Sequence, residues 1–75
     1  MIFLNLQYNN ITDLTPLINI KFLWIKEMYF GCNRIISIEP LSKIPFKCLR
    51  MLGLGGNNIY WDESTKFIYK NLINK

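Results

Sequence analysis

Apolar and polar residues recur along this chain with a fixed period. Around Asn33, apolar residues lie at fixed offsets on both sides, at Ile25, Met28, Phe30, Ile35, Ile38, Leu41 and Ile44. The same offsets around Asn9 give Met1, Leu4, Leu6, Ile11, Leu14, Leu17 and Ile20. Around Asn57 they give Leu49, Leu52, Leu54, Ile59 and Ile68. Because the three asparagines are 24 residues apart, the chain is predicted to consist of equivalent stacked units.

A short alternating segment precedes each asparagine. The three segments read LNLQYN, MYFGCN and LGLGGN. Alternation with a period of two places the apolar side chains on one face of a β-strand and the intervening residues on the other. Stacking the units then predicts a parallel sheet with one face turned into a core.

These segments resemble a known family. LNLQYNNI, MYFGCNRI and LGLGGNNI are similar to the leucine-rich repeat core, L-x-L-x-x-N-x-L, with other apolar residues replacing some leucines. The resemblance covers about residues 1–68, and the continuations ITDLTPL and IISIEPL look most like the internalin and phosphatase-regulator types. Units of those types usually have about 22 residues, two fewer than the period found here.

The resemblance implies an α/β solenoid. The expected fold is a leucine-rich repeat arc with short parallel strands on its concave side, irregular or short helical returns and a C-terminal capping helix. Three repeats would occupy residues 1–61 (about 1–24, 25–48 and 49–61 onward, the first, second and third units), and the capping helix residues 62–75. In this family the asparagine turns inward and bonds backbone groups of neighbouring units. Asn9, Asn33 and Asn57 are therefore expected to form a structural ladder.

The two ends of the stack are predicted to differ. At the C-terminal end, Asp62, Ser64 or Thr65 can cap a helix. Its apolar side would be formed by Phe67, Ile68, Leu72 and Ile73. At the other end, Met1 already occupies a repeat position, which leaves the strand of residues 2–7 as an open parallel edge. The chain is therefore interpreted as a fragment or short remnant of a longer array, with self-association through this edge as the alternative.

The outward strand positions form the predicted binding face. They stack into three columns: Phe3, Glu27 and Met51; Asn5, Tyr29 and Gly53; Gln7, Gly31 and Gly55. Members of the family bind other proteins on the concave face, and aromatic residues are favoured anchors in protein interfaces. The predicted partner-binding residues are Phe3, Asn5, Gln7, Glu27, Tyr29 and Met51, with Tyr29 at the centre. The partner is expected to be another protein.

Catalysis and metal binding are not expected. The chain has no histidine, and its five acidic residues lie in different phases of the repeat, so no acid–base pair is predicted to converge. Two cysteines, Cys32 and Cys48, are too few for a zinc site and are predicted to be buried thiols. Trp24 and Trp61 are interpreted as packing residues. No cofactor, metal or small-molecule substrate is predicted.

The positive net charge of the chain suggests an alternative function. The formal net charge is +4, but the nine cations are scattered along the sequence. Nucleic acid and membrane are therefore not the favoured partners. The alternative is a small basic protein that binds anionic membrane or nucleic acid through Lys66, Lys70 and Lys75. A cytoplasmic location is favoured because the sequence has no signal peptide, no transmembrane segment and no disulfide framework.

Overall fold

A three-stranded parallel sheet forms the frame of the molecule, as the alternating segments predict. In the computed structural model, which describes residues 3–19, 21 and 23–73, the strands are β1 (Phe3–Asn5), β2 (Glu27–Tyr29) and β3 (Met51–Gly53), and they lie in chain order. The predictions made for Met1, Ile2, Ile20 and Lys75 lie outside the described residues.

The strands pair in register with the sequence period. Leu4 lies opposite Met28, and Met28 lies opposite Leu52. Further backbone bonds extend the ladder past the strands: Leu6 to Tyr29 (2.8 Å), Tyr8 to Gly31 (3.0 Å), Phe30 to Gly53 (2.8 Å) and Cys32 to Gly55 (2.8 Å), each amide donating to the carbonyl. Because a slip of one residue would turn every side chain to the opposite face, this register keeps equivalent side chains in line.

Each strand leads into a helical segment that begins at an equivalent position. The first two are 3-10 helices, Thr15–Asn19 and Glu39–Lys43, here called the first and second returns. The third is an α-helix, α1, at Glu63–Ile73. Pro16 and Pro40 occupy the second positions of the two returns, where a helix needs no amide donor. Short helical returns and a terminal helix are thus present, as predicted.

A polar side chain lies near the start of each helical segment. Their oxygens accept from backbone amides at the helix starts: Asp13 from Thr15 (2.9 Å), Ser37 from Glu39 (3.1 Å) and Asp62 from Thr65 (2.8 Å). The Thr15 hydroxyl also donates to Asp13 (2.7 Å), and these two bonds lower the pKa of that carboxyl. The bond from the Thr65 amide likewise lowers the pKa of Asp62. Of the three candidates for the α1 cap, Asp62 fills the position.

The core lies between the sheet and the helical segments, and the second unit occupies its centre. Ile25, Met28, Phe30, Ile35 and Leu41 are all 0% exposed. Among the equivalent residues of the first unit that the structure describes, Leu14 is buried. The others are only half-buried: Leu4, Leu6, Ile11 and Leu17. The difference arises because the second unit has a neighbour on both sides.

Helix α1 packs on this core through one face. Leu72 is 3% exposed and belongs to the core. Three further residues of the helix are half-buried against the core: Ile68, Tyr69 and Ile73. Ile68 and Leu72 are four residues apart and share a face. Phe67 is 67% exposed, so its assignment to the packing side was wrong. The physical reason is the helical period, which turns Phe67 well away from Leu72.

Candidate interaction surface

The outward side chains of the strands form one face of the sheet, here called the open face. Phe3, Glu27 and Met51 are register partners across the three strands, which is the first predicted column. Phe3 is 58% exposed and Met51 is 47% exposed, whereas Glu27 between them is half-buried. The carboxylate of Glu27 on β2 therefore lies between two apolar side chains, one on β1 and one on β3.

Tyr29 lies across the second column. A Cβ atom placed on Gly53 would be 3.2 Å from the Tyr29 ring, so the ring occupies space that a side chain at Gly53 would need. The Tyr29 hydroxyl donates to a Glu27 carboxylate oxygen. This hydrogen bond, together with desolvation and the nearby negative charge, raises the pKa of Tyr29. The ring is half-buried and held by its neighbours, in contrast to the freely exposed aromatic anchor that the sequence suggested.

The third column is nearly flat at its far end. The Gln7 side chain lies 3.8 Å from where a Cβ atom on Gly31 would be. No atom of the described residues lies within 4 Å of a Cβ atom placed on Gly55. Asn5, exposed in the second column, bonds within its own strand by accepting from the Gln7 amide (3.0 Å). The two uncharged amide side chains of the open face, Asn5 and Gln7, therefore both belong to the first unit.

Asn33 joins the first and second units from inside the turn. It is 6% exposed. Its Oδ1 accepts from the amides of Asn9 and Ile11, both at 3.1 Å. Its Nδ2 donates to the carbonyls of Leu6 (2.9 Å) and Phe30 (2.8 Å). A longer bond from Nδ2 to the Gly31 carbonyl (3.3 Å) brings the backbone groups that this side chain serves to five, on two units.

Asn57 repeats this arrangement between the second and third units. Its Oδ1 accepts from the Ile35 amide (2.9 Å), and its Nδ2 donates to Phe30 (3.0 Å) and Leu54 (2.9 Å). Asn9 is exposed, and its Nδ2 donates to Leu6 and Gln7 of its own unit. Of the three asparagine side chains, those of Asn33 and Asn57 therefore make the bonds between units in the described part of the chain.

The residue before each asparagine is in the left-handed region. Tyr8 has φ 59°, Cys32 has φ 57° and Gly56 has φ 74°. Glycine adopts this conformation without steric penalty, whereas residues with a Cβ do not. Tyr8 and Cys32 are not residue types that indicate a left-handed backbone, so the strain at these two positions could not be predicted from the sequence. The sequence offered one indication of the left-handed turn, which is the glycine directly before Asn57 in the third unit.

Two assignments from the sequence require correction. Cys32 is exposed rather than buried because the left-handed turn carries it to the surface. Cys48 is half-buried, and its thiol donates to the Trp24 carbonyl (3.1 Å). Trp24 is 69% exposed and Trp61 is 42% exposed, so neither is a fully packed residue. Trp61 makes an edge-on contact with Tyr69, with ring centroids 5.7 Å apart.

The outer edge of β1 and the helical lysines are the other surfaces that the sequence singled out. In residues 3–19, 21 and 23–73, no strand pairs with the outer edge of β1. An apolar pocket of about 190 Å³ lies near it, lined by Leu6, Ile11, Asp13, Leu14, Pro16, Leu17 and Phe30. On α1, Lys66 pairs with Glu63 (3.7 Å) and Lys70 is exposed.

Metal-binding and membrane-spanning features were sought in the same described ranges. They contain no cluster of three or more histidine, cysteine or acidic side chains that could hold a metal ion. Among their helices, none has the length and apolar character needed to cross a bilayer.

Comparison with known proteins adds no relative. No protein-family model matches the sequence, and no curated protein or solved structure matches it significantly.

Proposed function

We propose that this chain is a protein-interaction module of the leucine-rich repeat type. The 24-residue period and the parallel register support the proposal. The asparagine bonds between units support it further. In this proposal the strands form the concave side of a solenoid, and binding occurs on the open face.

The observation that carries the functional assignment is the exposed apolar pair on the open face. Phe3 and Met51 remain 58% and 47% exposed although each lies in a sheet. Adjacent strands are about 4.8 Å apart, so the pair spans about 10 Å across Glu27. Exposed apolar residues around a charged group form the kind of patch that a partner surface covers.

The chemistry of the patch defines the partner. Because the Tyr29 hydroxyl donates to Glu27, its oxygen remains an acceptor, as does the rest of the carboxylate. The patch therefore offers acceptors and a negative charge between two apolar side chains. A complementary partner segment is apolar and carries a cationic donor. The bond between Tyr29 and Glu27 fixes both side chains before binding, which reduces the entropy lost on association.

The test compares two variants with the same chemistry at different places. Glu27→Lys/Tyr29→Ala alters the open face, and Glu39→Lys/Tyr60→Ala makes the same changes at exposed positions away from it. Each chain, and the parent, is immobilised and used to capture proteins from source-cell extract, with label-free quantification. We expect specific proteins to be lost from the first variant and kept by the second. Equal recovery by all three chains would remove the open face as the binding surface.

A further inference from the structure

The segments that lead into β2 and β3 run side by side at one edge of the sheet. The Lys47 amide donates to the Leu23 carbonyl (2.8 Å), and the Arg50 amide donates to the Lys26 carbonyl (2.9 Å). Residues 23–26 and 47–50, here called the strand-start edge, are thus paired at the same 24-residue spacing as the strands. Side chains far apart in sequence become neighbours at this edge.

Cations collect at the strand-start edge. Lys26 and Arg50 directly precede β2 and β3 and occupy equivalent positions on adjacent segments. Lys47 is exposed beside them, and Lys21 adds an exposed cation shortly before the edge. The salt bridges found within residues 3–19, 21 and 23–73 involve Lys43 and Lys66, and none involves these cations. Like charges on neighbouring strands are unfavourable unless an anion lies between them.

Acidic side chains lie elsewhere. Asp13, Glu39, Asp62 and Glu63 all lie at the starts of the helical segments, beyond the opposite ends of the strands. The acid closest in sequence to the edge is Glu27, and its carboxylate is engaged by Tyr29 on the open face. The three cations Lys26, Lys47 and Arg50 outnumber this one acid, which leaves an excess of positive charge at the strand-start edge.

Trp24 belongs to the same edge. Its indole is 69% exposed, and its carbonyl accepts from the thiol of Cys48 on the adjacent segment. Tryptophan is enriched at the interface between membrane and water because its ring is apolar while its N–H needs a polar partner. A tryptophan on the same edge as lysine and arginine fits the headgroup region of an anionic bilayer.

We propose that the strand-start edge binds the surface of anionic lipid bilayers. Lys26, Lys47 and Arg50 contact headgroup phosphates and carboxylates, and Trp24 enters the headgroup layer. A nucleic acid fits this edge less well because single strands are held by successive aromatic side chains, and here one aromatic side chain is exposed. The proposal is separate from the protein-binding role, because the residues that carry it are not those assigned to the open face.

The charge test uses two triple variants with equal net charge. Lys26→Gln/Lys47→Gln/Arg50→Gln removes the cations of the edge, and Lys43→Gln/Lys66→Gln/Lys70→Gln removes three cations elsewhere. Binding is measured by co-sedimentation with phosphatidylcholine vesicles that contain about 30% phosphatidylserine, at ~0.1 M salt. Because each cation near an anionic surface is worth about fivefold in binding, the edge variant is expected to lose about 100-fold. The control variant should lose much less.

Tryptophan fluorescence gives a second test of the proposal, in which the charged residues are left unchanged. In a Trp61→Phe background, Trp24 is the remaining tryptophan of the chain. Its emission is expected to shift to the blue when phosphatidylserine vesicles are added and to stay unchanged with phosphatidylcholine alone. An unchanged emission with the anionic vesicles would contradict the proposal.

Two other outcomes would also overturn it. If both triple variants lose binding equally, net charge rather than the strand-start edge is responsible. If the parent chain binds single-stranded RNA more tightly than the anionic vesicles, and the edge variant loses that binding, the edge serves a nucleic acid instead. Circular dichroism of each variant verifies that it is folded before binding is compared.

Discussion

At the residue scale, the stack depends on an amide side chain that replaces missing backbone partners. Where the chain turns inward after each strand, its amides and carbonyls leave the ladder. Asn33 bonds five such groups on two units, and Asn57 bonds four. Asparagine suits this position because one side chain combines donors and acceptors within a short reach.

Replacing Asn33 should therefore destabilise the fold more than replacing Asn9. Asn33→Ala leaves buried backbone groups of two units without partners, which is expected to cost about 1–3 kcal/mol in the free energy of unfolding. Asn9→Ala removes bonds within one exposed turn and is expected to cost less. Urea unfolding followed by circular dichroism measures both. Equal losses would contradict the structural role assigned to Asn33.

The turn before each asparagine gives a second prediction at this scale. Gly56 has φ 74°, and an added Cβ would lie 3.1 Å from the Cys32 thiol and 3.2 Å from its backbone. Gly56→Ala is expected to destabilise the chain by about 1–2 kcal/mol. Gly55→Ala is the matched control, since nothing lies within 4 Å of the added atom. Thermal unfolding of the two variants should separate them, and identical melting temperatures would refute this account of the turn.

At the scale of elements, the third unit shows how a small change in capping gives a different structure. The helical segments begin at Thr15, Glu39 and Glu63, which are 24 residues apart. In the first two units an apolar side chain precedes the helix and a proline follows its start. The third unit has Asp62 at the former position, and its segment continues as an α-helix.

The cap at Asp62 makes stability depend on pH. Its pKa is lowered in the folded chain from an ordinary value of 3.8, because it accepts from Thr65. The stabilisation is therefore fully present above about pH 5 and is lost as the pH falls through the folded pKa, below the ordinary value. Asp62→Asn keeps an acceptor without the charge. Its urea midpoint should vary less between neutral and acidic pH than that of the parent, and an unchanged pH profile would contradict this role.

Much of the architecture could be predicted from the period alone. The offsets around Asn33 located the strands, their register and the start of the helix, because a repeated apolar pattern admits few arrangements. The exposure of Cys32 and Trp24 could not be predicted, since it depends on the left-handed turn and on how the connecting segments pack. The gathering of Lys26 and Arg50 at one edge was also missed, although their 24-residue separation was visible in the sequence.

At the scale of the whole molecule, the ends of the sheet differ in how they are covered. Helix α1 packs against the second return and buries Leu72. On the side of β1, Leu6, Ile11 and Leu17 remain half-buried around an apolar pocket. The outer edge of β1 is an unpaired strand edge with apolar side chains next to it, within the described part of the chain. Strands of other chains can pair with an edge of this kind.

Self-association through the β1 edge is therefore expected as concentration rises. Sedimentation velocity across a wide range of concentrations should show growth from monomer to larger species. Leu17→Lys places a charge in the apolar edge and should shift this equilibrium toward monomer. A single monomeric species at every concentration of the parent chain would exclude association through this edge.

Amide hydrogen exchange tests the central claim, that equivalent units are held in register by bonds between them. The Leu6 and Phe30 amides donate across units at equivalent positions, and so do those of Arg34 and Asn58. All four are expected to exchange at least about 100-fold more slowly than in an unstructured peptide, with similar protection within each pair. Exchange of these amides at the unstructured rate would contradict the account.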